Sequence, residues 1–378
     1  MKAEMAPSSV SELVAAVHSM PHLLAVGAQT KPRLSVLNVP KLSTTRLRGI
    51  IEYEPSEFTF TALAGTPVRD IAAALAERGQ YLPFDPLWGE AGATLGGTVA
   101  AGLSGPGRFR FGGVRDFILG VRFVDGAGRL LRLGGKVVKN AAGFDLPKFF
   151  VGSLGRFGVL AEITFKVFPR PAASLTLALS CSSRRKEAPP EKSEIRNPKS
   201  EIETAARMMM DIANSRWEAE ALDLLPDGQT LCVRLAGPTP ALEKISSEIL
   251  SRWPGRILPQ TEAEAVWSGL CEFRWAYPEG PLLKVPLTPV ALPSLAEALA
   301  SLDGTRVHTS AGGSVAFISL SSGDQAARLD QHLRSLGLSG IALRGDGPLW
   351  YGAQSRTRIA LAVKEALDSQ NRFPSLED

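Results

Sequence analysis

Eight glycines fall within residues 92–113, GATLGGTVAAGLSGPGRFRFGG, interleaved with threonine, alanine, proline and arginine. Glycine loses more backbone entropy on ordering than any other residue, so the run reads as a poor helix and a poor strand. Its chemical use is different: such loops bring backbone N–H groups close to a phosphate with no Cβ in the way. Two more glycine turns flank it, VGAQTKPR at 26–33 and GSLGRFG at 152–158. One such turn is ordinary chain reversal. Three in the first half of the chain, with Thr30, Thr94 and Thr98 supplying hydroxyls, point to one shared ligand rich in acceptor oxygens, such as a diphosphate. The sequence contains no G-x-x-x-x-G-K-[ST], which excludes a P-loop. GPGRFR lacks the third glycine of G-x-G-x-x-G, and no acidic residue closes a following βα unit, so a Rossmann site is weakly supported.

Metal and thiol chemistry find less support. Cys181, Cys232 and Cys271 lie far apart, against a disulfide framework, a zinc site or an iron–sulfur cluster held by this chain. His18, His22, His308 and His332 lack companion carboxylates at ligand spacing, and no metal is expected. Lysine and arginine are scattered rather than striped among aromatics, so nucleic acid is not an expected partner. The mild basic excess, a net charge of +4, suits an anionic cofactor or a small acid.

The elements that must position these turns can be read from pattern. At 378 residues, with 44% hydrophobic and 21% charged residues, the chain is a folded protein of two domains. The first, 1–171, alternates strands and helices. Leu23–Val26 is a short strand entering the first glycine turn, and GIIEYEPSEFTFTALAG holds two strands around a polar turn. TPVRDIAAALAERG predicts a helix capped by Thr66, with Pro67 at its first position and Gly79 past its end. Val68, Ile71, Ala72, Leu75 and Ala76 form its apolar face. DFILGVRFVDGAGRLLRL reads as a hairpin turning at DGAG, and GVLAEITFKVF as a further strand closed by PRP at 169–171. The second domain, 172–378, opens with a polar, charged insertion at about 183–204 that becomes helical toward ETAARMMMDIA. Strands at GQTLCVRLAG, GPLLKVPL and GGSVAFISL alternate with helices at TPALEKISSEILSRW, LPSLAEALASL and DQAARLDQHLRSLG, which suggests an antiparallel sheet covered by helices. No run of 18 bulky apolar residues predicts a transmembrane helix. The first twenty residues carry Glu4 and Glu12 and lack the unbroken apolar core of a signal peptide, so the expected location is the cytoplasm.

Longer segments add a resemblance. LPFDPLWGEAGATLGGTVAAGLSGPGRFRFGGVRDFILG, GGKVVKNAAGFDLPKFFVGSLGRFGVLAEITFKVFPRP and AVGAQTKP resemble the flavin-binding domain of the vanillyl-alcohol-oxidase/PCMH superfamily. Within it they look like the FAD-binding E subunits of bacterial glycolate oxidases. The similarity is close over about residues 10–171 and weaker beyond. It implies an α+β fold: a two-subdomain PCMH-type FAD-binding domain followed by a smaller α+β cap domain of antiparallel sheet and helices.

It also implies site residues. Gly27, Ala28, Gln29, Thr30 and Lys31 match the pyrophosphate loop. The stretch Pro83–Gly102, with Pro83, Asp85, Pro86, Gly92, Ala93, Thr94, Gly96, Gly97, Thr98, Ala101 and Gly102, matches the segment along the diphosphate and isoalloxazine. The stretch Gly152–Val159, with Gly158 and Val159, matches the loop over the adenylate end. Backbone donors are then expected from Gly27, Ala28, Gln29, Gly96 and Gly97, and hydroxyl donors from Thr30 and Thr94. Where relatives attach flavin covalently through a histidine, this chain has Ala28, Gln29 and Thr30, so FAD is expected to be non-covalent. Leu154 and Arg156 replace the family's residues in the third loop, and RFPSLED replaces its usual carboxy-terminal motif.

A flavin enzyme acting on a 2-hydroxy acid needs a cation for the carboxylate and a base for the hydroxyl proton. Arg274, Lys284 and Arg344 are candidate cations and His308 a candidate base. The resemblance implies a subunit of a glycolate oxidase complex, partnered by a sister flavin subunit and an iron–sulfur subunit, cytoplasmic or peripheral at the inner membrane through that complex. Trp267, Trp275, Trp350 and Tyr351 are candidates for partner contacts or core. A self-sufficient FAD-linked 2-hydroxy-acid dehydrogenase and a redox-silent structural subunit are the alternatives.

Overall fold

The structure, a computed structural model, describes residues 4–135, 146–182, 198–354 and 358–377. The chain divides into two compact units. The first comprises Met1–Gly105, Phe111–Arg170 and Ser355–Asp378, and the second Pro106–Arg110 and Pro171–Gln354. Where the sequence suggests one cut at 171/172, the carboxy-terminal segment returns to the first unit. The units hold equal numbers of residues, so the second is as large as the first rather than smaller.

The strands of the first unit are β1 (Glu4–Met5), β2 (Leu24–Val26), β3 (Lys41–Ser43), β4 (Ile50–Glu54), β5 (Thr59–Leu63), β6 (Gln80–Tyr81), β7 (Ile118–Val124), β8 (Leu130–Gly134), β9 (Val159–Lys166) and β10 (Phe168–Pro169). Two main sheets result: a parallel one ordered β1-β3-β2, and an antiparallel one ordered β4-β5-β9-β7-β8. β9 is central, with Val159, Ala161, Ile163 and Phe165 buried along one face and Leu160, Glu162, Thr164 and Lys166 alternating with them on the other. The β7–β8 hairpin turns at DGAG, where the buried Asp125 carboxylate accepts from the N–H groups of Ala127 and Arg129. Helix α1 (Val10–Ser19), capped by Ser9, packs Leu13, Ala16 and Val17 against Leu42, Val124 and Val159.

Helix α2 (Val68–Ala76) departs from its sequence reading. Pro67 takes the cap position, while the Thr66 hydroxyl accepts from Gly49 N–H at 2.9 Å and lies 2.7 Å from the Leu63 carbonyl. Val68, Ile71 and Leu75 are buried, but Ala72 and Ala76 are exposed. The glycine run also departs: Leu95–Ala101 is a helix, α3, despite its two glycines. Thr94 caps it, and Gly102, at φ +62°, closes it in the left-handed conformation that glycine adopts without cost.

The carboxy-terminal helix Arg358–Leu367 is followed by a tail bound into the first unit. The buried Arg372 guanidinium donates to the carbonyls of Val17, Met20 and Gly126, and Phe373 joins the α1 core. Thus Arg372 and Phe373 of the RFPSLED ending tie the tail into the first unit.

One nine-stranded sheet builds the second unit. Its strands are β11 (Ala173–Ser180), β12 (Ala221–Leu224), β13 (Thr230–Gly237), β14 (Gly255–Ile257), β15 (Leu282–Pro286), β16 (Arg306–Ser310), β17 (Val315–Ser319), β18 (Ser339–Arg344) and β19 (Trp350–Gly352). They are ordered β14-β11-β13-β12-β16-β17-β15-β18-β19, and every neighbouring pair is antiparallel. Leu177, Leu222, Leu231, Val285 and Ile318 supply one face to helices Pro198–Ala213, Thr239–Arg252, Leu292–Leu299 and Ala326–Ser335. Helix Gln260–Cys271 covers part of the opposite face, with Trp267 and Leu270 on Ala221 and Cys232. Trp267 and Tyr351 are core residues, not surface anchors. Residues 136–145, which include most of the KNAAGFDL segment, and residues 183–197 of the polar insertion lie outside the described residues.

Candidate functional site

Two adjoining clefts of the first unit, about 460 and 400 Å³, share Ala25, Val26, Gly27, Gly97 and Ala100 as lining. They form where the end of β2, the turn after it and α3 converge. That approach depends on missing side chains. A Cβ on Gly27 would stand 2.4 Å from Thr94 Oγ1, and one on Gly96 would stand 2.9 Å from the carbonyl oxygen of Ala64. The entropic cost of glycine in α3 is therefore offset by a backbone contact no other residue permits.

The turn after β2 has an unusual donor inventory. The N–H groups of Gly27, Ala28, Gln29 and Thr30 meet no protein acceptor among the described residues. Gln29 takes φ +54°, the left-handed conformation that one residue of an anion nest adopts. The turn is braced from outside: Lys41 Nζ donates to Gln29 Oε1 at 2.7 Å. Lys31 is nearly buried, with Nζ donating to Thr30 Oγ1 at 2.9 Å and standing 5.0 Å from the centre of the Trp88 ring.

Helix α3 contributes differently from the sequence expectation. Its first donors are spent within the protein: Leu95 N–H on the Thr66 carbonyl, Gly96 N–H on the Ala64 carbonyl at 2.7 Å, and Gly97 N–H on Thr94 Oγ1 at 3.2 Å. Gly96 and Gly97 are thus walls of the clefts, not the free donors expected, because the helix start is stitched to the segment after β5 at Gly96 and capped by Thr94 at Gly97. Thr94 lines the first cleft and caps α3 with the same oxygen.

Ala28, Gln29, Thr30, Lys31 and Ala101 line the first cleft, and Gly96, Gly158 and Val159 line the second. Pro83, Asp85 and Pro86 lie in a turn beside neither cleft, where the Phe84 and Asp85 carbonyls accept from Gly105 N–H. Gly92, Ala93 and Gly102 also line neither and serve the two ends of the α3 segment. Thr98 lies outside both linings, its Oγ1 buried with no partner among the described residues. The sequence reading missed Thr44 and Ala64, which lie in no glycine turn, whereas Gly155 falls within the 152–159 loop that it did mark. The N–H groups of Gly155 and Gly158 also lack a protein acceptor among the described residues. The buried Arg156 donates to the Leu154 carbonyl at 2.6 Å and toward that of Ser375 at 3.3 Å, so it fixes its own loop.

The four catalytic candidates all lie in the second unit. Arg274 is exposed. Arg344 donates to the carbonyls of Gly280 and Tyr277, and burial lowers its pKa. His308 and Lys284 share one face of the sheet, for His308 pairs with Phe317 and Phe317 with Lys284. Burial, reinforced by the nearby Arg108 guanidinium, pulls the Lys284 ammonium down to about 8. His308 Nε2 lies 2.7 Å from Oδ2 of Asp223, and both residues are buried. Asp223 had no signal in the sequence, because only strand pairing brings it to His308. Burial pushes the thiols of Cys181 and Cys232 up to about 12, which makes them inert. Among the described residues no group of three His, Cys, Asp or Glu side chains is placed to hold a metal, and no helix is long and apolar enough to cross a membrane.

Residues 1–134 match the protein-family model described as an FAD binding domain. Over 130 residues, 34% of this chain and 37% of the relative, the sequence is 55% identical to glycolate oxidase subunit GlcE of Escherichia coli. It is 33% identical over 128 residues to glycolate oxidase subunit GlcD of Bacillus subtilis, 34% of this chain and 27% of that one. With D-lactate dehydrogenase of Anaerostipes hadrus it shares 31% over 138 residues, 36% of this chain and 29% of that enzyme. The match therefore spans about a third of the length of these curated relatives. Across 97% of this chain and 74% of the other, the fold superposes on alkyldihydroxyacetonephosphate synthase with a TM-score of 0.69 at 14% identity.

Proposed function

With residues 1–134 an FAD-binding domain, we propose that this chain is the FAD-holding subunit of a glycolate-oxidising complex, working beside a sister flavin subunit and an iron–sulfur subunit. The observation that carries the reading is the run of four N–H groups from Gly27 to Thr30 that meet no protein acceptor among the described residues, in a turn that lines a cleft Gly27 and Gly97 keep clear. A diphosphate presents the acceptor oxygens those donors lack, and Lys31 brings the positive charge that the anion requires. The Thr30 and Thr94 hydroxyls add donors at the same wall. In the second cleft the N–H groups of Gly155 and Gly158 meet the rest of the nucleotide. Neither cleft has histidine or cysteine in its lining, which supports non-covalent attachment.

Bound FAD supplies a two-electron acceptor for the CH–OH group of a 2-hydroxy acid. This chain's residues hold the diphosphate, keep side chains out of its path and exclude water through the apolar walls of Ala25, Val26 and Ala100. The sequence similarity to two glycolate oxidase subunits supports glycolate as substrate and a multi-subunit setting. Peripheral attachment at the inner membrane would come through that setting.

The test is an anaerobic visible spectrum of the purified chain and of the chain with its sister subunits, before and after glycolate. Flavin bands from the chain, bleached by glycolate in the complex, are the expected result. A folded chain and complex without bands would overturn FAD binding, and bands that glycolate leaves unchanged in the complex would overturn the substrate.

A further inference from the structure

The face of the second unit that carries His308 is unusually polar for its burial. Asp223 Oδ1 accepts from Ala311 N–H at 3.0 Å while Oδ2 pairs with His308 Nε2 at 2.7 Å. A carboxylate only accepts, so the shared hydrogen sits on Nε2, and the neutral imidazole then keeps a bare lone pair on Nδ1. That lone pair is buried without a partner among the described residues. Two more polar atoms on the same part of the face share this state: Ser310 Oγ, two residues along β16, and Nε1 of Trp275, whose ring meets that of His308 edge-on at 5.8 Å. Each unmet buried group is costly, and three together mark a place built for a ligand. Phe317 stacks beside the imidazole at 5.8 Å and Phe273 closes on Phe317 at 4.9 Å, so the surroundings are aromatic. On the far side of Phe317 stands the partly buried Lys284. Two strand spacings, about 10 Å, separate the backbones of Lys284 and His308.

We propose that Lys284, His308, Ser310 and Trp275 form a binding site for a small 2-hydroxy carboxylate, with Asp223 as its positioning residue. The lysine takes the carboxylate. The hydroxyl donates to His308 Nδ1, and Ser310 and Trp275 donate to the remaining oxygens. Asp223 acts through the imidazole by fixing which nitrogen carries the hydrogen. The choice of a hydroxy acid rests on the function proposed above, whereas the donor and acceptor pattern does not.

The variant that isolates this arrangement is Asp223→Asn. Its amide oxygen keeps the bond from Ala311 N–H, and its NH2 faces His308 Nε2, which must then accept. The hydrogen moves to Nδ1, and the site loses its acceptor with little change in shape. The experiment is nitrogen-15 NMR of the histidine side chains in the FAD-loaded chain, titrated with glycolate, for the parent, Asp223→Asn and Lys284→Gln. In the parent, His308 should show a protonated Nε2 and a bare Nδ1, and glycolate should move the Nδ1 signal saturably. Asp223→Asn should invert the two nitrogens and abolish the response. Lys284→Gln should keep the tautomer and weaken binding at least tenfold. A His308 signal unmoved by saturating glycolate would overturn the site, even if flavin in the complex bleaches and the function stands. A moving His308 signal with an unresponsive flavin would keep the site and remove the assigned reaction. An Asp223→Asn protein that binds like the parent would remove the positioning role.

Discussion

A Cβ on Gly27 would stand 2.4 Å from the hydroxyl oxygen of Thr94, and its next neighbour would be Thr94 Cβ at 3.6 Å. One oxygen therefore decides whether residue 27 can carry a side chain. That oxygen also caps α3 by accepting from Gly97 N–H.

The two residues should be coupled. Gly27→Ala forces Thr94 out of its capping position and should cost about 2 kcal/mol. Thr94→Ala loses the cap alone, about 1 kcal/mol. Together they should cost clearly less than their sum, since the alanine at 94 leaves room for the methyl at 27. Urea unfolding of the four proteins measures the coupling, and strict additivity would mean that the turn and the helix do not touch as described.

Gly97→Val is expected to keep the fold and lose flavin. A Cβ at 97 meets nothing but Thr94 Oγ1, at 3.0 Å, and its branches enter the space shared by both clefts. Bound FAD per chain should fall at least tenfold while far-ultraviolet dichroism stays that of the parent. Full flavin content in a folded Gly97→Val protein would contradict the placement of the diphosphate along this wall.

The contrast between these glycines shows what a sequence can and cannot carry. The three turns were legible because glycine clusters and threonines are local signals, and the hairpin at DGAG and strand β9 were legible from alternation and apolar runs. The helix at 95–101 was not, because its cause is distant: the segment after β5 approaches closely at Ala64 and takes the Gly96 N–H. The same non-local contact converts Gly96 from an expected donor into a wall, while the Gly97 N–H is taken locally by the cap oxygen of Thr94. Asp223 lies 85 residues from His308 and meets it only through the pairing of β12 with β16. The return of the carboxy terminus to the first unit was hidden for the same reason, since Arg372 finds its acceptors at Val17, Met20 and Gly126.

Lys284 should destabilise the protein in a pH-dependent way. Its ammonium has its ordinary value of 10.5 in the unfolded chain and about 8 in the folded one. Below about 8 the folded state bears the whole cost of the buried charge. Between 8 and 10.5 the unfolded chain binds more protons than the folded one, so stability contributed at this residue rises with pH. Lys284→Met should therefore be more stable than the parent at pH 7, by on the order of a few kcal/mol, and the advantage should shrink steadily toward pH 10. Thermal unfolding of the pair at pH 7, 8.5 and 10 reads this directly, and a constant difference would place the ammonium in water.

Arg372 should be a main tie between the carboxy-terminal tail and the first unit. Its side chain is buried and donates to three backbone carbonyls, two at the end of α1 and one in the β7–β8 turn, while its own N–H reaches Asp368 Oδ1 at 2.8 Å. Lys364 holds the other side of Asp368 and the carbonyls of Arg156 and Phe373, so the cluster links α1, the β7–β8 turn and the loop of the second cleft. Arg372→Ala leaves the carbonyls of Val17, Met20 and Gly126 without that donor and should cost about 3 kcal/mol or more. Arg372→Lys should recover only part, because one ammonium cannot span acceptors that a planar fork reaches together. The measurement is urea unfolding followed by amide hydrogen exchange. Exchange should quicken first in α1 and at residues 125–129, and the loop at 153–158 should follow through Arg156. If Arg372→Ala unfolds at the parent's midpoint with protection unchanged in α1, the tail is an appendage and the first unit stands without it.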